Sequence, residues 1–270
     1  MNYRVVPPPP LLQPYVRYFW ILEEPYTSAQ SRTFYTLVDD SSGLIVQHNN
    51  GNSAFVSSKG QPLKTNFIYG QSTRPTTTFS NGAFSLIGVN FHPHGLKSLF
   101  GIDAYYLTDQ MDELDILGSA DLAERLIDSS TPTERIAILT SFLLQRLKEP
   151  VQTDSLVCHC LGKIVQSGGQ TTVSNLLREC SISERQLERR FRATVGIPPK
   201  LYIRIMRFQA ALRLMRQKQF NKLSDIAFEL EYADQSHFIR DIKEFSGYTP
   251  RSLSQEVSEL ILNLHLGPEC

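Results

Sequence analysis

Hydrogen-bonding side chains are concentrated at one point of the C-terminal half, in the stretch "ADQSHFIRDIKEFSGYTP". Gln235, Ser236 and His237 follow Asp234 directly. An aspartate is a favourable helix N-cap because its carboxylate accepts from the unpaired N–H groups of the first turn, and a glycine followed by a proline is a typical helix end. The pattern therefore predicts a helix over 234–246 with these polar groups on its exposed first turn. Taken alone, such groups could be either solvated or used in recognition.

The pattern occurs twice in the chain. The stretch "SERQLERRFRATVGIPP" begins at Ser183, 51 residues before Asp234. Equivalent residues stand at the caps, in the apolar stripe and at the helix ends: Ser183 and Asp234, Leu187 and Phe238, Gly196 and Gly247, Pro199 and Pro250. Each copy also follows a short amphipathic segment and a turn. The repeat predicts two helix-turn-helix units in tandem.

A long helix is predicted between the two units, over 198–217. Its apolar residues alternate spacings of four and three, as in Leu201, Ile205, Phe208, Leu212 and Met215. A helix of this length spans roughly 30 Å at 1.5 Å per residue. Successive major grooves on one side of DNA lie about 34 Å apart, so a rigid connector of this size could hold the two units in adjacent grooves.

Charge is distributed unevenly along the 270 residues. The formal net charge is zero, but residues 1–154 carry four more acidic than basic residues and residues 155–270 four more basic than acidic ones. Between Arg185 and Lys218 there are ten basic residues and one acidic residue, which suits a polyanion. With no apolar run of about 18 residues and no signal peptide, we expect a soluble cytoplasmic protein without a membrane partner.

Two short motifs could bind metal, and neither is complete. The Cys-His-Cys at 158–160 has no second ligand pair at zinc spacing, and residues two apart on a helix point away from each other. In a strand, His92 and His94 would lie on one face, but no glutamate follows at the spacing that metal-binding cupins use, and His48 would join them only by coincidence of folding. The alternative is a turn at the end of the strand, closed by Gly95. We therefore expect no metal and no other cofactor.

The N-terminal half has the pattern of a β-rich domain. Up to about residue 92, short segments rich in β-branched and aromatic residues are separated by Ser, Gly, Asn and Pro. A short helical turn and helices over 119–128 and 132–148 follow. The predicted fold is a two-domain α+β protein: a β-barrel or sandwich with C-terminal helices, then an all-α domain with two helix-turn-helix units joined by a long helix. The predicted domains are 1–150 and 151–256, with a linker over 148–154 and a C-terminal tail over 257–270.

Two features of this half allow alternatives. The stripe Ile136, Leu139, Leu143 and Leu147 could either form a dimer interface or pack onto its own β domain. Four aromatic residues could either line an effector pocket or belong to the core: Tyr18, Trp20, Tyr35 and Phe91.

Residues 171–252 resemble the DNA-binding domain of AraC/XylS-type transcription regulators. The resemblance is carried by "SERQLERRFRATVGIPPKLYIRIMRFQAALRLM" and "IAFELEYADQSHFIRDIKEFSGYTP". The first half more weakly resembles the β-rich sensor domains of one branch of that family, through "LVDDSSGLIV", "IYGQSTRP" and "GVNFHPHGLKSLFG". The resemblance implies a sequence-specific regulator, with activation favoured over repression, that binds double-stranded promoter DNA. A small-molecule effector, RNA polymerase and a second copy of the chain are its possible partners.

The resemblance also implies that the second helix of each unit enters the major groove. The expected base-reading residues are Arg185, Glu188 and Arg189 in the first unit and Gln235, Ser236, His237 and Arg240 in the second. Such side chains suit base edges, for example arginine with guanine and glutamine with adenine. The expected phosphate contacts, which fix register without reading sequence, are Arg192, Arg204 and Lys243.

The chain departs from the family pattern in the turns of both units. Ser181 and Glu231 stand where the family usually has glycine, so a positive φ there would cost roughly 1 kcal/mol each. Leu177 replaces the small residue usual in the first helix, whereas Ala227 keeps it.

Three other functions are alternatives to a DNA-binding regulator. An alkyl-transfer DNA repair enzyme fused to such a domain needs a reactive cysteine before the linker, and residues 1–157 contain no cysteine. A metal-dependent cupin-like enzyme would have to use His92 and His94. A dimerisation module without a ligand is the third alternative. The sequence favours a regulator that is not an enzyme.

Overall fold

A computed structural model describes residues 1–24, 32–48, 52–80, 82–117, 121–149, 153–217, 220 and 222–256. Pro150 in the predicted linker, Lys218 in the basic run, Cys270 and the predicted tail lie outside the described residues, and so does the side chain of His48. None of the described helices is long and apolar enough to cross a membrane.

The N-terminal domain contains two β-sheets. In the described part of the chain the strands are β1 (Asn2–Val6), β2 (Val16–Glu24), β3 (Arg32–Thr36), β4 (Ser42–His48), β5 (Phe55–Ser57), β6 (Asn66–Tyr69), β7 (Thr76–Ser80), β8 (Phe84–Phe91) and β9 (Met111–Glu113). The larger sheet has the order β1-β2-β8-β4-β6-β9 and the smaller one β3-β7-β5. All paired strands are antiparallel. The predicted β-rich domain is confirmed.

Alternation along the strands gives the larger sheet two apolar faces. On β2, Phe19 and Ile21 belong to the core under the helices, whereas Trp20 and Leu22 belong to the cluster between the two sheets. This follows from the period of two in a strand, which sends successive side chains to opposite faces. The domain therefore has a solid core on one side of the large sheet and, on the other, the space enclosed with the small sheet.

Three helices cover the face of the large sheet that bears Phe19 and Ile21: α1 (Gly95–Phe100), α2 (Leu122–Asp128) and α3 (Pro132–Arg146). As predicted, Pro132 begins α3 after an N-cap at Thr131, which forms a capping box with Glu134. Short 3-10 turns lie at Ala104–Leu107 and Leu114–Leu117.

The stripe on α3 does not form an exposed surface. Leu139 and Leu143 are fully buried in the core under the large sheet, and Ile136 and Leu147 pack against it half-buried. The hypothesis that this stripe forms a dimer interface is wrong, because its own β domain already covers it.

The C-terminal domain is all-helical. Its helices are α4 (Ser155–Gln166), α5 (Val173–Cys180), α6 (Glu184–Val195), α7 (Pro199–Gln217), α8 (Leu223–Glu229), α9 (Gln235–Ser246) and α10 (Pro250–Glu256). The predicted caps are confirmed: the side chains of Ser183 and Asp234 accept from the first turns of α6 and α9, and Gly196 and Gly247 end these helices with φ of 97° and 79°. The structure thus contains both predicted helix-turn-helix units, α5–α6 and α8–α9, with α7 between them.

Three strands are only weakly indicated by the sequence pattern: β1, β7 and β9. β7 reads "TTTFS", in which polar threonines hide the apolar alternation, and β9 has only three residues. They form because backbone pairing supplies what the side-chain pattern does not: β1 pairs with β2, β7 with β3 and β5, and β9 with β6.

The two domains share part of one core. Leu37 and Val38, in the segment between β3 and β4, are 1% and 0% exposed and belong to the apolar cluster of the C-terminal domain. Asp40 in the same segment is paired with Arg17 at 2.9 Å and accepts from the hydroxyl of Tyr202 on α7 at 3.2 Å. The segment 37–41 therefore inserts into the helical domain.

Candidate functional site

The exposed face of α6 carries the three residues predicted for the first unit. Arg185, Glu188 and Arg189 are all exposed, while Leu187 and Phe191 on the opposite face are fully buried. The capping box formed by Ser183 and Gln186 fixes the start of this helix. Because they are spaced at i, i+3 and i+4, the three side chains form one surface.

The exposed face of α9 carries the four residues predicted for the second unit: Gln235, Ser236, His237 and Arg240. The N–H of His237 donates to the Asp234 carboxylate at 2.9 Å and holds the pKa of that group below its usual range. The His237 ring also contacts this carboxylate, at 3.0 Å. The ring is thus turned back toward the cap, whereas Gln235, Ser236 and Arg240 point outward without an ion pair or side-chain hydrogen bond among the described residues.

Ile239 lies on the same surface and was missed by the prediction. It is 39% exposed and precedes Arg240 by one residue. An apolar side chain beside polar readers can contact the methyl group of thymine. Its position three residues after Ser236 was the signal in the sequence, but an isoleucine in an amphipathic helix is usually assigned to the core.

The two units make similar surfaces at the ends of these helices. Arg192 on α6 and Lys243 on α9 are exposed, and no carboxylate in the described part of the chain pairs with either. They stand 51 residues apart, at equivalent places in the repeat. Both are free to contact phosphate.

Arg204 is different, and its geometry contradicts the predicted phosphate role. Its guanidinium lies 2.7 Å from an oxygen of Asp241 and 2.6 Å from one of Glu244, and it covers the ring of Phe245 at 5.0 Å. Burial lowers the pKa of Arg204, but its hydrogen bonds to these two carboxylates outweigh burial and raise it. The charge is thus neutralised within the domain, where it ties α7 to α9.

Other members of the basic run also serve the fold. Arg190 pairs with Asp154, the N-cap of α4, at 2.6 Å. Arg207 donates to the carbonyl of Gly169 and lies over Tyr232, and burial lowers the pKa of Arg216. The count of basic residues therefore overstated the charge that the surface offers to a polyanion.

The turns that depart from the family pattern are strained as expected. Ser181 and Glu231 both adopt the left-handed conformation, with φ of 51° and 53°. Leu177 packs half-buried against the core of the domain, and Ala227 is buried.

A cavity of about 400 Å³ lies between the two sheets of the N-terminal domain. Its wall is mostly aromatic and aliphatic: Trp20, Leu22, Phe34, Ile45, Phe55, Leu63, Phe67 and Leu86. Polar residues also line it, and we call one group of them, from the segments 36–39, 72–76 and 109–110, the rim: Thr36, Asp39, Ser72, Arg74, Thr76, Asp109 and Gln110. A size of this order and an apolar wall with a few polar groups are typical of small-molecule sites.

The predicted aromatic set is only partly correct. Trp20 lines the cavity, and its buried indole N–H has no hydrogen-bond partner among the described residues. Tyr18 is buried beside it in the same cluster, but it is not part of the wall. Phe91 belongs to the core on the other side of the sheet, and Tyr35 packs edge-on against Tyr248 of the C-terminal domain. Strand alternation explains the error, since Phe91 and Trp20 face opposite sides of the large sheet.

The candidate metal motifs remain incomplete in the described part of the chain, where no cluster of three metal-ligating side chains occurs. His92 follows the end of β8 and His94 is the N-cap of α1, and the N–H of Gly95 donates to the carbonyl of His92 at 2.7 Å. The two histidines therefore lie in a turn at the end of the strand and not on one face of it. Burial lowers the pKa of both histidines, that of His92 to about 4. Cys160 is buried with its Sγ 3.6 Å from that of Cys180, and burial raises its pKa to about 12.

Comparison with known proteins identifies two regions. Residues 176–256 match the family described as "Helix-turn-helix domain" and residues 4–112 match "Domain of unknown function (DUF6597)". The "F1 operon positive regulatory protein" of Yersinia pestis is 38% identical over 69 residues. That match covers 26% of this chain and 23% of the relative.

Two solved structures are similar over most of their length at low identity. ToxT from Vibrio cholerae O395 has a TM-score of 0.45 at 14% identity and covers 89% of this chain and 97% of its own. Unsaturated fatty acid bound wild-type ToxT from Vibrio cholerae strain SCE256 has a TM-score of 0.44 at 13% identity, with 90% and 97% covered. Similarity at this level assigns neither a ligand nor an activity.

The C-terminal domain, with its capped helix pairs in tandem and a connecting helix, is that of a helix-turn-helix protein. The matched region agrees with this: residues 176–256 form a helix-turn-helix domain, and a distinct β-rich domain precedes it.

Proposed function

We propose that the protein is a sequence-specific DNA-binding transcription regulator that acts by binding and not by catalysis. In this proposal residues 1–150 sense a small molecule and residues 151–256 bind promoter DNA. The observation that carries it is the pair of capped helices α6 and α9, whose exposed faces bear hydrogen-bonding side chains at equivalent positions of a 51-residue repeat.

The chemistry of the two faces supports direct base readout. Arg185, Arg189 and Arg240 are exposed guanidinium groups, which suit the two acceptors of guanine, and Gln235 suits adenine. Arg192 and Lys243 would fix the register through phosphates. The α6 and α9 faces are hereafter called the recognition surfaces.

Selection from a randomised DNA duplex with the full-length protein tests this proposal. We expect enrichment of a site with two conserved blocks about one helical turn apart, and an affinity that falls steeply as salt rises because phosphate contacts release counterions. Failure to enrich any sequence, or an affinity independent of salt, would contradict the proposal.

The cavity supports a sensing role for the N-terminal domain. Trp20 is the one tryptophan in the chain and lies in the cavity wall. Its emission should therefore change when an apolar compound enters. Titration with the dye 1-anilinonaphthalene-8-sulfonate, with Leu86→Trp as a cavity-filling variant, separates cavity binding from surface binding: the variant should bind the dye several-fold more weakly. Equal binding by both proteins would remove the sensing role.

We infer activation rather than repression. The relative from Yersinia pestis, which is described as a positive regulatory protein, supports this. Activation would require contact with RNA polymerase at the promoter. A reporter gene under the selected site, compared in cells with and without the protein, should show increased transcription, and a decrease would make the protein a repressor.

Sedimentation of the full chain tests whether it forms a homodimer.

A further inference from the structure

The N-terminal domain contacts the end of α6. Gly196, the C-cap of this helix, lies against the 3-10 turn at Ala104–Leu107 and the following Thr108. The hydroxyl of Thr108 donates to the carbonyl of Gly196 at 2.9 Å. A Cβ atom on Gly196 would lie 2.6 Å from Oγ1 of Thr108 and 3.1 Å from the carbonyl oxygen of Ala104, so only glycine permits this approach.

The N-terminal domain contacts the equivalent end of α9. The last carbonyls of a helix have no partner within it, and here the N–H of Val38 donates to the carbonyl of Phe245 at 3.1 Å. The amide of Gln209 on α7 donates to the carbonyl of Val38 at 2.5 Å. Just after the C-cap Gly247, Tyr248 packs against Tyr35 with ring centroids 5.7 Å apart.

The rim of the cavity joins these two contacts. Asp109, next to Thr108, accepts from the N–H and hydroxyl of Thr73 at 2.7 and 2.6 Å, and its own N–H donates to the carbonyl of Gln71 at 3.0 Å. The side chain of Gln71 in turn donates to the carbonyl of Asp39, next to Val38. Asp39 and Asp109 both line the cavity. Hydrogen bonds, together with the backbone of Thr108–Asp109 and Val38–Asp39, therefore link the end of α6 through the rim to the end of α9.

We infer that the rim holds both recognition surfaces by the C-terminal ends of their helices and so sets the spacing of the DNA blocks that the protein accepts. This inference rests on the proposed DNA binding. The alternative is that α7, with its 19 residues, fixes the two units by itself.

Three near-isosteric variants separate these explanations. Thr108→Val removes the hydroxyl that donates to the end of α6. Gln209→Leu removes the α7 amide that holds Val38 against the end of α9, and the double variant removes both. Thr133→Val and Gln217→Leu are matched controls, since both residues are exposed and lie away from the rim.

The first measurement is the affinity for the selected site and for versions with one base pair added or removed between the two blocks. We expect the wild type and the controls to lose about tenfold or more with altered spacing, since one base pair rotates and shifts one block relative to the other. The double variant should lose only about threefold, because its two units are less firmly held. An equal loss in the wild type and the double variant would overturn the inference and leave α7 as the spacer.

The second measurement needs no DNA. Amide hydrogen exchange of the full-length Thr108→Val variant should increase not only at 193–198 but also at 36–41 and 243–248, at the other end of the rim. An increase confined to 193–198 would show that the two contacts are independent and would overturn the inference. If the selection enriches no DNA sequence, the proposed function fails, and hydrogen exchange still decides whether the rim couples the two helices.

Discussion

The two helix-turn-helix units share one sequence pattern but are anchored differently. In the first unit, α6 is fixed by the ion pair of Arg190 with Asp154 and by packing of Phe191 against Tyr202, with ring centroids 5.6 Å apart. In the second, α9 is fixed by Arg204, which reaches from α7 to two carboxylates of α9. Both anchors combine an arginine ion pair with aromatic packing on α7. In the first unit the arginine lies on the recognition helix itself, whereas in the second it reaches from α7 to two carboxylates.

The recognition surfaces differ as well. That of α6 bears the charged residues Arg185, Glu188 and Arg189, whereas that of α9 combines uncharged Gln235 and Ser236 with Ile239 and Arg240. Charged groups read guanine and cytosine edges, while an amide and an apolar contact favour adenine and thymine. The repeat thus fixes where side chains are presented, and the residues that vary between copies decide what each unit reads and how firmly it is held.

The largest expected effect is on the second anchor. Arg204→Ala should lower the free energy of unfolding by about 2 to 4 kcal/mol, because it leaves Asp241 buried without its partner. The expected loss is smaller than for a fully buried ion pair, since Arg204 is partly exposed. Denaturant unfolding measures this loss.

Arg192→Ala is the matched control for Arg204→Ala. It removes an exposed arginine and should change stability by less than about 0.5 kcal/mol, while weakening DNA binding uniformly across sequences. Equal destabilisation by the two variants would contradict the structural role assigned to Arg204.

The next effect distinguishes the two recognition surfaces. Arg189→Ala and Arg240→Ala should each cost about 1 to 3 kcal/mol on the selected site and relax preference at positions about one helical turn apart. Lys243→Ala is the control, since loss of a phosphate contact weakens all sequences alike. Binding of each variant to randomised sites measures the change, and loss of preference at the same base pair in both arginine variants would exclude two separate recognition helices.

Most of the C-terminal domain could be predicted because local signals define it. Ser183 and Asp234 mark helix starts, Gly196 and Gly247 mark helix ends, and the apolar stripe on each recognition helix is complete without reference to the rest of the chain. The role of Arg204 could not be predicted, because its partners Asp241 and Glu244 lie 37 and 40 residues away and only packing of α7 on α9 brings them together.

The N-terminal domain was predicted in class but not in detail. Alternation identified most of its strands but did not show which face would enclose a cavity, so Phe91 was grouped with Trp20. The insertion of Leu37 and Val38 into the helical domain was also hidden, since an apolar pair after a strand is indistinguishable in sequence from an ordinary strand end. Contacts between domains depend on the assembled shape, which no local pattern encodes.

The smallest expected effect concerns a feature that the two units share. Ser181→Gly and Glu231→Gly should each raise the free energy of unfolding by about 0.5 to 1 kcal/mol, because glycine adopts the left-handed conformation of these turns without the steric cost of a Cβ atom. Ser181→Ala and Glu231→Ala keep a Cβ atom and should give no such gain, which separates relief of strain from loss of the side chain. Denaturant unfolding measures the difference in the free energy of unfolding between each variant and the wild type. The dependence of that free energy on denaturant concentration should stay unchanged. If only one of the two glycine variants gained stability, the units would differ in their turns as well as in their anchors.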